Sequence, residues 1–192
     1  MNYFKKIENI RYLGQGAGDI YIKAECGLLI QTYGIIDAII YDPMTSDSGK
    51  WSWNSSIIKS FDSTGCTISG SNGNSDVRGT MSFNHSGNYE MECTLIKVQD
   101  QIMCPAPCNL LILWGNMYDT DDNWNNRTTY SSSFPNDSAQ IRITLINKVA
   151  TLYVDNVQIA SKTLRNQCPK ISIWTQGNAR ATKVKDIIVK PL

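Results

Sequence analysis

Histidine is nearly absent: His85 is the only one in 192 residues. A hydrolytic Ser-His-Asp set would have to be built on it, and no nucleophile-elbow motif accompanies it. It sits in an expected turn, where a lone His reads as polar surface. A surplus of one charge is missing as well. Eighteen Lys and Arg against seventeen Asp and Glu leave a net charge of +1. A nucleic-acid partner needs a basic footprint, so none is expected. No apolar run approaches the roughly 18 residues of a spanning helix, so no membrane insertion is expected. The start, Met1-Asn2-Tyr3-Phe4-Lys5-Lys6-Ile7-Glu8, carries charges but no apolar stretch after them. No signal peptide is read there. Either the chain stays inside the producing cell, or it leaves by another route, or it has been trimmed.

Close cysteine pairs are scarce too. Of six cysteines, Cys26, Cys66, Cys93, Cys104, Cys108 and Cys168, only Cys104 and Cys108 are near in sequence. Their three-residue spacing is not the two-residue spacing of redox or zinc motifs, and a single His argues against structural zinc. The cysteines read as buried thiols, with one local bridge conceivable between Cys104 and Cys108.

What is abundant is uncharged polarity. Asn (17), Ser (18) and Thr (14) together outnumber the charged residues and carry solubility in their place. That balance suits an all-β protein with polar loops and not a helical one, which would use Glu, Lys, Ala and Leu. Four Asn-x-Ser/Thr sequons occur, at Asn54, Asn84, Asn126 and Asn136. In so Asn-rich a chain they are not read as glycosylated.

The pattern along the chain agrees. Ile141, Ile143 and Leu145 alternate with Arg142 and Thr144, the period of a half-buried strand over 139–146. Asn147-Lys148 is a turn and 149–154 the next strand. Asp155-Asn156 is a two-residue turn of the type tight hairpins prefer, with 157–161 returning. Strands at 170–174 and 183–189 complete an expected antiparallel meander. Upstream, 79–84 and 88–98 read as a pair around His85-Ser86-Gly87. Residues 109–114 form an apolar run that fits a central strand buried on both faces. Two polar stretches remain, 62–76 and a long loop at 116–137. Loops of that length in compact domains are usually functional or mobile. Residues 1–34 differ from the rest and read as an N-terminal appendage, or a connection to a neighbouring module or subunit, before a main domain at 35–192.

Several segments occur in a familiar order. Tyr41-Asp42-Pro43-Met44-Thr45-Ser46-Asp47-Ser48-Gly49-Lys50-Trp51 resembles the opening of concanavalin A-like lectin/glucanase domains, the group that includes laminin-G-like modules. Asn88-Tyr89-Glu90-Met91-Glu92-Cys93 resembles their long strand, Ala150-Thr151-Leu152-Tyr153-Val154-Asp155-Asn156 their hairpin, and Lys183-Val184-Lys185-Asp186-Ile187-Ile188-Val189 their closing strand. The resemblance covers about residues 36–192. It implies an all-β jelly-roll sandwich of two antiparallel sheets, one concave. More loosely, the chain is similar to such modules in phage tail fibres and other virion adhesins, which assemble in the host cytoplasm and need no signal peptide.

Three chemistries follow from that likeness. Glucanases of this fold set carboxylates on one strand of the concave sheet, in a Glu-x-Asp-x-x-Glu pattern or a one-residue-shorter form. Glu90 and Glu92 point to one face, with Cα atoms about 6.5–7 Å apart, but Thr94, Leu95 and Ile96 follow where a third carboxylate belongs. A solvated or salt-bridged strand face is the preferred reading, and no catalytic residue is assigned. Lectins of the fold hold calcium in Asp/Asn loops at the sheet rim. Asp119, Asp121 and Asn123 have the 1-3-5 spacing of calcium loops, although Trp124 stands where an EF-hand needs Gly and no Glu follows at position 12. They are the candidate metal ligands. Sugars stack their C–H faces on aromatic rings and bond their hydroxyls to amides and carboxylates. Tyr118, Trp124, Asn125 and Tyr130, in or beside the same loop, are therefore the candidate glycan contacts. Trp51 and Trp53 share a strand face and read as core or loop anchors, and Trp114 and Trp174 as core.

The expected function is non-enzymatic binding of a glycan or cell-surface polysaccharide, in a phage tail or another virion- or cell-surface assembly. Its partners would then include other subunits of that structure and further copies of the chain. A structural spacer or oligomerisation module is the alternative, and a glycoside hydrolase using Glu90 and Glu92 a second.

Overall fold

The computed structural model describes residues 38–55, 57–70, 77–97, 103–113, 115–122, 127–131, 138–175 and 181–192. The appendage expected at 1–34 lies outside the described residues, as do Trp114, Asn123, Trp124 and Asn125. Sixteen strands run in the order β1 (Ile40–Asp42), β2 (Ser52–Trp53), β3 (Ile57–Asp62), β4 (Gly65–Gly70), β5 (Val77–Ser82), β6 (Tyr89–Lys97), β7 (Met103–Cys104), β8 (Ala106–Pro107), β9 (Leu110–Leu113), β10 (Asn116–Asp119), β11 (Arg127–Thr129), β12 (Ser138–Ile146), β13 (Val149–Val154), β14 (Val157–Thr163), β15 (Lys170–Thr175) and β16 (Ala181–Pro191), with a 3-10 turn at Thr120–Asp122.

Every pairing is antiparallel. One sheet runs β14-β13-β12-β6-β16-β4-β3, with β1 also on β16. Two four-stranded sheets, β11-β10-β9-β7 and β2-β5-β15-β8, complete the fold. Side chains on alternate positions of a strand face opposite ways. On the large sheet, Tyr89, Met91, Cys93 and Leu95 of β6 point inward with Ile141, Ile143 and Leu145 of β12. They join Met81, Ile112, Met117, Ile171 and Ile173 of the smaller sheets in one buried cluster. Filling the space between sheets removes each such side chain from water, a gain of about 1.5–3 kcal/mol for a large aliphatic group. This is an all-β, jelly-roll-type sandwich, as the alternating pattern leads one to expect.

The β12–β13–β14 hairpins form where the sequence places them. Asn147 and Lys148 have φ of 48° and 68°, and Asp155 and Asn156 48° and 67°. Two consecutive left-handed residues match the twist of the flanking strands. The β16 strand carries a bulge between Lys185 and Ile188, centred on Asp186 with φ 52°. Before it β16 pairs with β4, and after it with β1.

Other expectations need correcting. The meander ends at β14: β15 crosses to a smaller sheet and pairs β5, while β16 returns beside β6. Strands β5 and β6 do not pair with each other, because their two hydrophobic faces close the core from opposite layers. The stretch 62–76 supplies β4, whose Cys66 and Ile68 are fully buried. The loop at 116–137 holds β10 and β11, paired to each other. The run at 109–114 behaves as expected. Strand β9 lies between β10 and β7, with Leu110 and Ile112 in the main cluster and Leu111 packed on Trp174 behind it. No helix among the described residues is long and apolar enough to cross a membrane.

Candidate functional site

The outward face of the large sheet is polar because it takes the alternate residues of the same strands. Register places Tyr153 of β13 beside Arg142 of β12, Arg142 beside Glu92 of β6, and Glu90 of β6 beside Lys190 of β16. Four strands thus deliver a row of one aromatic, two cations and two carboxylates at the sheet spacing of about 4.8 Å. The Arg142 guanidinium lies 3.8 Å from the Tyr153 ring centroid, a cation–π stack. Lys190 Nζ donates to Glu92 Oε2 at 2.9 Å. Glu90 stands between the cations with Oε2 3.7 Å from Arg142 and Oε1 3.8 Å from Lys190. Those separations exceed hydrogen-bond length, so Glu90 is neutralised by its neighbours while its lone pairs stay available to hydroxyl donors. Beside this row, Gln140 Nε2 donates to Thr94 Oγ1 at 2.9 Å. The salt-bridged reading of Glu90 and Glu92 matches this geometry. Leu95, in the stretch where the enzyme pattern needs another carboxylate, points into the core.

The acidic loop is built differently. Asp119 is buried and accepts from the backbone N–H groups of Asp121 (3.0 Å) and Arg165 (2.7 Å), one on each carboxylate oxygen. Asp121 accepts from Asn109 Nδ2 on both oxygens at 2.8 Å and from Asn166 Nδ2 at 3.0 Å. Arg165 pairs with Asp122 and donates to the Asp121 carbonyl. The acids therefore tie the end of β10 to the segment after β14. All four carboxylate oxygens of Asp119 and Asp121 are engaged, and a guanidinium already stands beside them. Among the described residues no group of three or more His, Cys, Asp or Glu side chains is placed to hold a metal ion. Tyr118 packs on the Leu111–Trp174 cluster and Tyr130 on the main core. Burial pushes the Tyr130 hydroxyl above its usual range. The structure thus brings Tyr118, Asp119 and Asp121 onto one short stretch and gives each a packing or bonding role.

The amides of Asn109 and Asn166 hold the Asp121 carboxyl below the ordinary aspartate value of 3.8. A depressed folded-state value means stability that is present above about pH 4 and lost as pH falls through the folded value. Melting temperature measured from pH 6 to 2 should show the gap between wild type and Asp121→Ala narrowing below pH 4. A gap that stays constant to pH 2 would contradict this account. Lys59 lowers Asp47 and Lys183 lowers Asp62 in the same direction.

An open recess of about 560 Å³ lies at one end of the sandwich, lined by Ser86, Gly87, Asn88, Asn147, Lys148 and Gln167. Its amides brace the turns around it. Asn88 Oδ1 accepts from Asn147 N, Gln167 Oε1 from Lys148 N, and Gln167 Nε2 donates to the Gly87 carbonyl. His85 bonds the Asn88 carbonyl in the same turn. Cys66, Cys93, Cys104, Cys108 and Cys168 are free thiols. The neighbour of Cys104 is Cys93, and that of Cys108 is Cys168, so the local 104–108 bridge is not the arrangement found.

Fold and surface together define an antiparallel β-sandwich with a polar, ion-paired outer sheet. Known structures share this architecture at low sequence identity. The chain is similar to part of a sialidase, with a TM-score of 0.57 and 8% identity over 81% of this chain and 19% of that one. It is similar to a Bacillus subtilis protein of unknown function with a galectin-like fold, with a TM-score of 0.50 and 9% identity over 80% of this chain and 95% of that one. The chain thus spans about a fifth of the sialidase and nearly all of the second. No protein-family model matches the sequence, and no curated protein matches it.

Proposed function

We propose that this sandwich binds glycans without turning them over, and that the outer face of the large sheet is the site. The galectin-like fold supports a lectin-like reading. The observation that carries it is Glu90, set between Arg142 and Lys190 at 3.7 and 3.8 Å. Charged groups at that separation are bridged well by hydroxyls, which donate to the carboxylate and accept from the cations. A pyranose offers adjacent hydroxyls to such a row, and Tyr153 with Arg142 supplies a flat surface at its end. The ion-paired carboxylates suit binding better than glycoside cleavage, which needs one acid and one nucleophile or base.

A glycan array with the whole chain tests this. Arg142→Ala and Tyr153→Ala should each weaken binding about tenfold, the loss of about 1.4 kcal/mol expected for one ligand hydrogen bond or stacking contact. Trp124→Ala and added chelator should leave binding unchanged, since Asp119 and Asp121 already have partners. Binding lost with Trp124 or with chelator would move the site to the acidic loop. A chain that binds nothing on the array would remove the function.

A further inference from the structure

We propose that Cys108 and Cys168 form a reversible dithiol/disulfide pair that locks the segment after β14 onto the end of β8. The two cysteines are 60 positions apart, yet each sits in the other's bonding shell. Cys168 N–H donates to Cys108 Sγ at 2.8 Å, and Cys108 Sγ donates to the Cys168 carbonyl at 3.0 Å. The two thiols are also near enough to shift each other's titration, Cys108 downward and Cys168 upward. The backbone between them is fixed: Cys108 N bonds the Lys170 carbonyl at 2.8 Å, continuing the β8–β15 ladder. Tyr89, fully buried, directs its hydroxyl to the Cys168 and Lys170 carbonyls at 3.0 and 3.2 Å and lies 3.6 Å from Cys108 Sγ. These contacts hold the two residues side by side, as a bridge between them requires.

The pair is also chemically primed and asymmetrically exposed. Hydrogen bonding from the Cys168 side chain leads the effects that, against burial, bring the Cys108 thiol down to about 7. Cys168 is pushed upward by the same contact. A shared proton between two sulfurs yields one thiolate near neutrality, and the thiolate is the attacking species. Cys108 is buried, whereas Cys168 is partly exposed. A small disulfide RS–SR reaches Cys168 first. The Cys108 thiolate takes the Cys168 proton as the Cys168 sulfur bonds to one sulfur of RS–SR, and the RS⁻ released picks up the proton that Cys108 had first given to solvent. The Cys108 thiolate then attacks the Cys168 sulfur of the mixed disulfide, the bond to the second RS breaks, and that RS⁻ takes up the proton of Cys108. The protein dithiol is oxidised, the small disulfide is reduced, and two RSH leave.

Cys93 and Cys104 form the instructive contrast. They also neighbour each other, but both are buried and burial pushes Cys104 far up. They offer no surface sulfur for the first exchange.

The test treats the whole chain with glutathione disulfide and reads intact mass, a peptide map and melting temperature. The expected product has lost two hydrogens and retains no glutathione. Its map joins the Cys108 and Cys168 peptides, and dithiothreitol reverses it. Closing a loop of about 60 residues should raise the melting temperature by about 10 °C. Cys168→Ser removes only the partly exposed partner and should abolish the link. A stable mixed disulfide at Cys168 in the wild type, a bridge from either cysteine to Cys26 or within Cys93 and Cys104, or no reaction at all would each overturn the proposal.

Discussion

Asp42→Ala should lower the melting temperature by about 10 °C. Asp42 is a buried carboxylate at the end of β1. Its Oδ2 accepts from Trp51 Nε1 at 3.0 Å and Ser48 Oγ at 2.7 Å, and its Oδ1 from Met44 N at 2.9 Å. Trp51 and Met44 are themselves buried, so truncation leaves two donors with neither partner nor water. Each orphaned donor costs about 1–3 kcal/mol, roughly 3–4 kcal/mol together. A chain of this length loses about 2–4 °C per kcal/mol. Ser48→Ala removes only an exposed donor and should cost under about 1 kcal/mol. Thermal unfolding followed by near-ultraviolet circular dichroism reports the tryptophan directly. A drop below about 3 °C would show that the 43–51 segment does not depend on this carboxylate.

Gly79→Ala should be nearly as damaging, for a steric reason. Gly79 faces Trp53 in the β2–β5 register, and a Cβ placed there would overlap the Trp53 ring. Its neighbours resist displacement of the ring. It is stacked on Trp51 with centroids 5.2 Å apart and planes 23° apart, and Lys59 Nζ sits 5.1 Å from its centroid. Overpacking of this kind costs about 1–3 kcal/mol. Because Trp51 is held in turn by Asp42, the two substitutions strain one unit. The double variant should lose less than the sum of the singles, by about 0.5 kcal/mol or more. Strict additivity in chemical denaturation would show that the tryptophan stack does not transmit strain.

Much of the fold can be read in the sequence, and the limits have physical causes. Asn147-Lys148 and Asp155-Asn156 announce their hairpins because few residue pairs adopt two left-handed conformations in succession. Alternation in 139–146 names the buried face. It does not name the neighbour, which is why β5 and β6 look paired and β15 looks like part of a meander. Strand β4 hides in Gly, Ser and Asn, since only Cys66 and Ile68 carry its inward face. The outer row is less legible still. Arg142, Tyr153, Glu92 and Lys190 become neighbours only through register, with Glu92 and Lys190 98 positions apart. Asp119 is legible only in part for the same reason: its spacing to Asp121 is visible in the sequence, but its bond to Arg165, 46 positions on, is not.

The bulge in β16 acts as a half-period phase shifter. Ahead of it the even-numbered Val184 faces the core; beyond it the odd-numbered Ile187 and Val189 do. One extra residue thus inverts the parity of the strand, so one polypeptide serves two differently phased edges, β4 and then β1. Deleting Asp186 would set Val184 and Ile187 two positions apart, on one face of a regular strand, and would remove the bonds from Asp186 N to the Pro43 carbonyl and from the Tyr41 hydroxyl to Asp186 Oδ1.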